Sequence, residues 1–147
     1  MIDLSVFSER LNDYMIDKNL NSVSLSKDIG VSRSTISELR RGAFLPSYTT
    51  FTKLIEYFNC SGDYLLGISN DEKENYNFKP IKPFVDRLRL FLKQEGKSQY
   101  GLVKQKKISG AIVYDWLHNN MLPSIENLNK IAEYFECSID KFLGREK

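Results

Sequence analysis

A chain of 147 residues has room for one ordinary domain or two very small ones, and 41% apolar with 12% aromatic residues supply packed cores rather than a disordered regulator. A net charge of +2 does not by itself mark a nucleic-acid binder, and no apolar run approaches the roughly 20 residues of a membrane span, so an untargeted, cytoplasmic protein is expected. The two cysteines, Cys60 and Cys137, stand in no CxxC and near no histidine, which leaves no zinc ligand set and reads as two reduced, buried thiols.

From the N-terminus, Phe7, Leu11, Tyr14 and Met15 recur at i, i+4, i+7 and i+8 and predict a helix with one apolar face. Leu25 and Ile29 predict a second helix behind a cap at Asn21. Ile36 and Leu39 predict a third behind a cap at Ser32. Gly30 sits between them, where a tight turn favours positive φ. A fourth helix follows Pro46-Ser47 with Phe51, Leu54, Ile55 and Phe58 facing inward, and the fifth is SGDYLLG, capped by Ser61 and stopped by Gly67. No segment alternates like a strand, so the expected class is all-α. The turn of three or four residues between helices two and three holds them at a steep angle and lets the third project outward.

Next comes SNDEKENYNFKPIKP, polar and ending in two prolines, which predicts a linker over 69–83 that Tyr76, Phe78 and Ile81 could dock onto either side. Beyond it the sequence repeats itself. Leu45–Gly67, LPSYTTFTKLIEYFNCSGDYLLG, returns 77 residues later as LPSIENLNKIAEYFECSIDKFLG, and Phe7, Arg10, Leu11, Leu25, Lys27 and Ser32 return as Phe84, Arg87, Leu88, Leu102, Lys104 and Ser109. The expected organisation is therefore a five-helix domain over 1–68, the linker, and a second five-helix domain over 84–147. Charge is uneven between the halves, −1 over 1–70 and +3 over 71–147.

On the third helix, with Val31, Ile36 and Leu39 turned inward, Arg33, Ser34, Thr35, Ser37, Glu38 and Arg41 lie on the outer surface. An isolated helix of that kind fits the major groove of DNA. The stretch SLSKDIGVSRSTISELRRG, followed by LPS and a helix ending in CSGDYLLG, resembles the lambda-repressor/Cro-like (XRE-type) helix-turn-helix family, and with the second copy the likeness covers nearly the whole chain outside the linker. The resemblance implies sequence-specific binding to an operator in double-stranded DNA, with Arg33, Ser34 and Glu38 on base-reading positions and Thr35 and Ser37 beside them. Arg can be bidentate to guanine and Glu can accept from cytosine N4. Asn21, Ser22 and Ser32 take cap and first-turn positions that meet phosphates, and Arg41 matches a phosphate contact. Plainer roles stand beside these: Arg40 and Arg41 suit a helix C-terminus by charge, and Glu38 suits a surface ion pair.

In the second copy Ser98, Gln99, Tyr100, Lys104, Lys106 and Lys107 offer a basic edge for the DNA backbone. Lys106 and Lys107 replace the inward Ile29 and the turn Gly30, so a local adjustment or strain is expected there. The corresponding third helix, SGAIVYDWLHNN, is unusually apolar. By position Gly110, Ala111, Tyr114, Asp115 and His118 form its reading face. Ile112 or Ala111 could contact a thymine methyl, while Ile112 and Tyr114 could equally form a protein interface. Trp116 is expected in the core and His118 at the surface. With no nucleophile–base pair, carboxylate cluster or glycine-rich phosphate loop, no enzyme, cofactor or metal is expected. The family more often contains repressors. The rival readings are a homodimer joined through the second domains and a protein-interaction adaptor or antitoxin-like protein.

Overall fold

A computed structural model describes residues 1–146, which form ten helices and, among the described residues, no strand. They divide into two units of five helices each, Met1–Tyr76 and Asn77–Lys147.

In the first unit the helices are α1 (Leu4–Asp17), α2 (Ser22–Ile29), α3 (Arg33–Arg40), α4 (Tyr48–Phe58) and α5 (Gly62–Leu65). Asp3, Asn21, Ser32, Ser47 and Ser61 each cap one of them by accepting the backbone N–H three residues on. Each cap contributes about 1 kcal/mol. At α2 the cap is reciprocal, because Asn21 N–H also donates to Ser24 Oγ at 2.9 Å. α1 packs on α3 and α5, and α2 on α3 and α4. Between them Phe7, Leu11, Met15, Leu25, Ile36, Leu39, Phe51, Leu54 and Ile55 lose all contact with solvent. At about 1.5–3 kcal/mol per large apolar side chain this burial is the main stabilising term. Ile29 and Val31, expected inward, lie half-buried at the edge of that core.

Arg10 closes the unit. Its guanidinium donates to the carbonyls of Tyr64 at 2.5 Å and Ser69 at 2.9 Å, and it lies 3.8 Å above the Tyr64 ring. A cation therefore sits on the carbonyl end of α5. Tyr14 donates its hydroxyl to Glu72 at 3.2 Å, and burial, together with the anionic groups around it, raises the phenol's pKa so that it remains a donor. Ser69 to Glu72 are in this way held against α1.

The second unit repeats the plan with α6 (Phe84–Gln94), α7 (Gln99–Lys106), α8 (Gly110–His118), α9 (Ile125–Tyr134) and α10 (Ile139–Phe142). Phe84, Leu88, Leu102, Val113, Trp116, Leu128, Ile131, Ile139 and Phe142 form its core. Arg87 does the work of Arg10, donating to the carbonyls of Phe142 at 2.6 Å and Lys141 at 3.0 Å; burial lowers its pKa. A feature without counterpart in the first unit is an ion pair between Asp140 and Arg145 at 2.5 Å, both side chains 1% exposed. The Arg145 guanidinium also lies 4.2 Å from the centre of the Phe78 ring. Backbone bonds from Lys79 N to Arg145 O and from Lys82 N to Leu143 O, 2.8 and 3.1 Å, hold residues 78–82 against the end of this unit.

The substitution of Gly30 by Lys107 does not shift the helices. Lys107 adopts the same left-handed conformation, φ 54° and ψ 46° against 69° and 36°, and both turns are three residues long. The expected strain is confined to one residue, where a side chain costs about 1–2 kcal/mol. Lys107→Gly should therefore raise stability by about 1 kcal/mol, seen as a higher urea midpoint with unchanged slope. A midpoint that stays or falls contradicts this. Lys106 keeps its ammonium at the surface by pairing with Glu133 at 3.7 Å while its stem is half-buried. Cys60 is buried as expected, but Cys137 is only half-buried.

Gly101 has a packing reason that its neighbours in sequence do not reveal. A Cβ there would collide with the Tyr134 hydroxyl, which donates to the carbonyl of Ser98 at 2.9 Å. In the first unit Ser24 occupies the corresponding position and Tyr57 turns elsewhere, to Asp28 at 2.6 Å.

Candidate nucleic-acid interface

In the first unit α2, the turn Gly30-Val31-Ser32 and α3 form the helix-turn-helix. Gly30 supplies the left-handed residue, and Ser26 Oγ donates to the Val31 carbonyl at 2.6 Å, so the turn's backbone is satisfied from α2. Ser32 then caps α3 through Thr35 N at 3.2 Å.

α3 presents Arg33, Ser34 and Ser37 as exposed side chains. Arg33 leads the helix, and among the described residues it has no hydrogen-bond or ion-pair partner. Its charge opposes the helix dipole, so the position gains nothing from local electrostatics. Thr35 is drawn back: its hydroxyl meets Ser32 Oγ at 2.7 Å and it is half-buried. Glu38 accepts from Arg41 at 2.5 Å, with the two side chains 39% and 69% exposed. A pair that exposed is worth a few tenths of a kcal/mol and opens at little cost.

Arg40, which by sequence suits a helix C-terminus by charge, holds the motif together. Its Nε donates to Asn12 Oδ1 at 2.7 Å and its Nη1 to Ser22 Oγ at 3.0 Å, while Asn12 Nδ2 donates to the Arg40 carbonyl at 3.0 Å. One guanidinium links α1, the start of α2 and the end of α3. Asn21 and Ser22 thus have their side chains engaged, and the first-turn amides of Ser22 and Val23 have no carbonyl within α2 to donate to. Lys53 from α4 adds a cation that local sequence does not reveal, its Nζ 3.9 Å from where a Cβ on Gly30 would sit.

The second unit builds the same frame with different chemistry. Ser98 caps α7 through Gly101 N at 2.9 Å, and Gln99, Tyr100, Lys104 and Lys107 are exposed, with Lys104 Nζ 3.4 Å from the Tyr100 hydroxyl. Arg89 donates to the Leu117 carbonyl, so α8 is held from α6 just as α3 is held from α1, with the arginine on the opposite partner. On α8, Gly110, Ala111, Ile112, Tyr114 and His118 are exposed and Val113, Trp116 and Leu117 are buried. Asp115 accepts from the Asn119 amide at 2.6 Å, and the Tyr114 and His118 rings lie 4.4 Å apart. Among the described residues no group of His, Cys, Asp or Glu is placed to hold a metal, and no helix is long and apolar enough to cross a membrane.

Comparison with known families assigns both units. A helix-turn-helix family model matches residues 11–65, and the model of the Cro/C1-type helix-turn-helix DNA-binding domain matches residues 87–147. No curated protein and no solved structure matches the chain.

Proposed function

Because the chain belongs to the Cro/C1-type helix-turn-helix family, in two tandem copies, we propose that it represses transcription by binding an operator sequence with α3 of its first unit in the major groove. A DNA-binding regulator follows from the family alone. The finer reading rests on one observation: α3 leads with Arg33, exposed and without an intramolecular partner among the described residues, on a helix locked in place by Arg40. A preorganised helix with an unengaged guanidinium at its tip suits bidentate bonding to guanine O6 and N7. Ser34 and Ser37 add adaptable hydroxyls. Glu38 meets a cytosine amine once Arg41 exchanges it for a phosphate. Asn21, Ser22 and Ser32 mark where the amides of α2 and α3 meet the backbone. In the second unit Ser98, Gln99, Tyr100, Lys104 and Lys107 bind phosphates. A regulator of this kind works where the DNA is, in the cytoplasm or nucleoid.

Titration of labelled duplex DNA at several salt concentrations tests this reading. Each phosphate contact contributes about −0.9 to the slope of log affinity against log salt. A steep negative slope is expected; DNA affinity that is absent or indifferent to salt contradicts it and favours a protein-interaction adaptor.

A further inference from the structure

We infer that α8, the third helix of the second unit, reads the C5 methyl groups of pyrimidines, thymine above all, through apolar contact in the major groove. The inference rests on the DNA-binding reading given above and specifies what the second unit recognises.

α8 occupies the same frame as α3, behind a three-residue turn with one left-handed residue and a serine cap. Its leading turn is nevertheless stripped of hydrogen-bonding side chains. Gly110 stands where the first unit has Arg33, Ala111 where it has Ser34 and Ile112 where it has Thr35. Ala111 is exposed, and Ile112 and Tyr114 are 41% and 53% exposed. The Gly110-Ala111-Ile112 tip therefore has no side chain that reads the donors and acceptors of base edges. The one apolar feature the major groove displays is the methyl group of thymine.

Gly110 supports this from another side. Beyond its chain neighbours and its own helix backbone, no atom of the described residues lies within 4 Å of where its Cβ would be, and its φ is not in the left-handed region, so neither packing nor backbone strain calls for glycine. What glycine removes is the side chain between the helix tip and whatever lies ahead of it. A long arginine reads a base from a distance, whereas methyl-to-methyl contact needs heavy atoms within about 4 Å. A bare tip permits that approach.

Charge identifies DNA as the occupant of this apolar face. Residues 77–147 carry thirteen Lys and Arg against eight Asp and Glu, +5, whereas residues 1–76 carry eight against eleven, −3. Lys104 and Lys107, both exposed, come from α7 and its turn beside the start of α8. Of the nearby acids, Asp115 is bonded to Asn119 and Glu133 is paired with Lys106. A unit of charge +5 is repelled by its own copy and attracted by a polyanion.

The test uses the full-length protein and the site it selects from a random duplex pool. Positions read by Arg33 are those whose preference disappears in Arg33→Ala, and thymines whose contribution disappears in Ser34→Ala, Ser37→Ala or Glu38→Ala are set aside with them. At thymines outside them, T·A is replaced in turn by U·A, C·G and 5-methylcytosine·G. Loss of one methyl should weaken binding about three- to fourfold, as for one buried methylene. The 5-methylcytosine duplex should bind more tightly than its unmethylated C·G counterpart, which separates the methyl from the rest of the base. Ile112→Ala should abolish the thymine-over-uracil difference, while Arg33→Ala should leave it in place. Three results overturn the inference and leave the DNA-binding reading standing: a selected site without thymine outside the Arg33-dependent positions, equal affinity for thymine and uracil there, or a dimer in solution that Ile112→Asp dissociates. Selection of no preferred sequence at all overturns both.

Discussion

Asp140→Ala is expected to destabilise the second unit by about 3–5 kcal/mol, the usual consequence of removing one member of a buried ion pair. Asp140 and Arg145 are each 1% exposed and 2.5 Å apart, so the alanine variant removes from the protein interior the carboxylate that Nη1 of the buried guanidinium bonds. Small domains have total stabilities of about 5–15 kcal/mol, and a loss of this size populates the unfolded unit near physiological temperature. The chain's single tryptophan, Trp116, is 2% exposed in the core of this same unit, so its fluorescence reports the transition selectively. The expected result is a strongly lowered urea midpoint by tryptophan emission. Replacing both partners, Asp140→Leu with Arg145→Met, should cost much less, because no orphaned charge remains. Equal losses in the single and double variants would show that shape rather than charge governs the site.

Arg33→Ala is expected to weaken binding to the preferred DNA sequence by about 1–3 kcal/mol, roughly fivefold to 150-fold, while leaving the fold intact. The side chain is exposed and has no intramolecular partner among the described residues, so its removal opens no cavity and breaks no contact. The loss should fall on the preferred sequence and not on random duplex, and the salt slope should change little. Arg41→Ala makes the contrasting case, with a near-uniform loss on all sequences and a slope smaller by about one contact. If Arg33→Ala weakened every duplex equally, its role would be that of a phosphate contact and α3 would not be the reading helix.

Much of this arrangement was legible in the sequence because it is local. Apolar residues at helical spacing marked the first four α-helices, the caps at Asn21, Ser32 and Ser61 marked starts, and the repeat identified the second unit from the first. Gly30 marked the turn. What the sequence hid depends on distance through space. Arg40 looked like one more cation at a helix end, and only the fold brings Asn12 and Ser22 to it across 28 and 18 positions. The second unit fastens α8 from the opposite partner, Arg89, so even an alignment of the two copies conceals the common role. Asp140 and Arg145 are five residues apart, yet their burial depends on Phe78 and on residues 78–82, which read as linker. Lys107 showed the reverse limit. A lysine in a glycine position suggested a distorted motif, but a single left-handed residue can be held by the packing around it at a cost of about a kilocalorie or two.

Entry of α3 into the major groove with Arg33 against a guanine is tested most directly by replacing each guanine of the selected site in turn with 7-deazaguanine, which removes the major-groove N7 acceptor and leaves pairing intact. The wild-type protein should lose affinity sharply at one guanine, and Arg33→Ala should be indifferent to the same replacement. If no guanine N7 matters to the wild type, or if the variant loses as much as the wild type at that position, Arg33 does not read the groove.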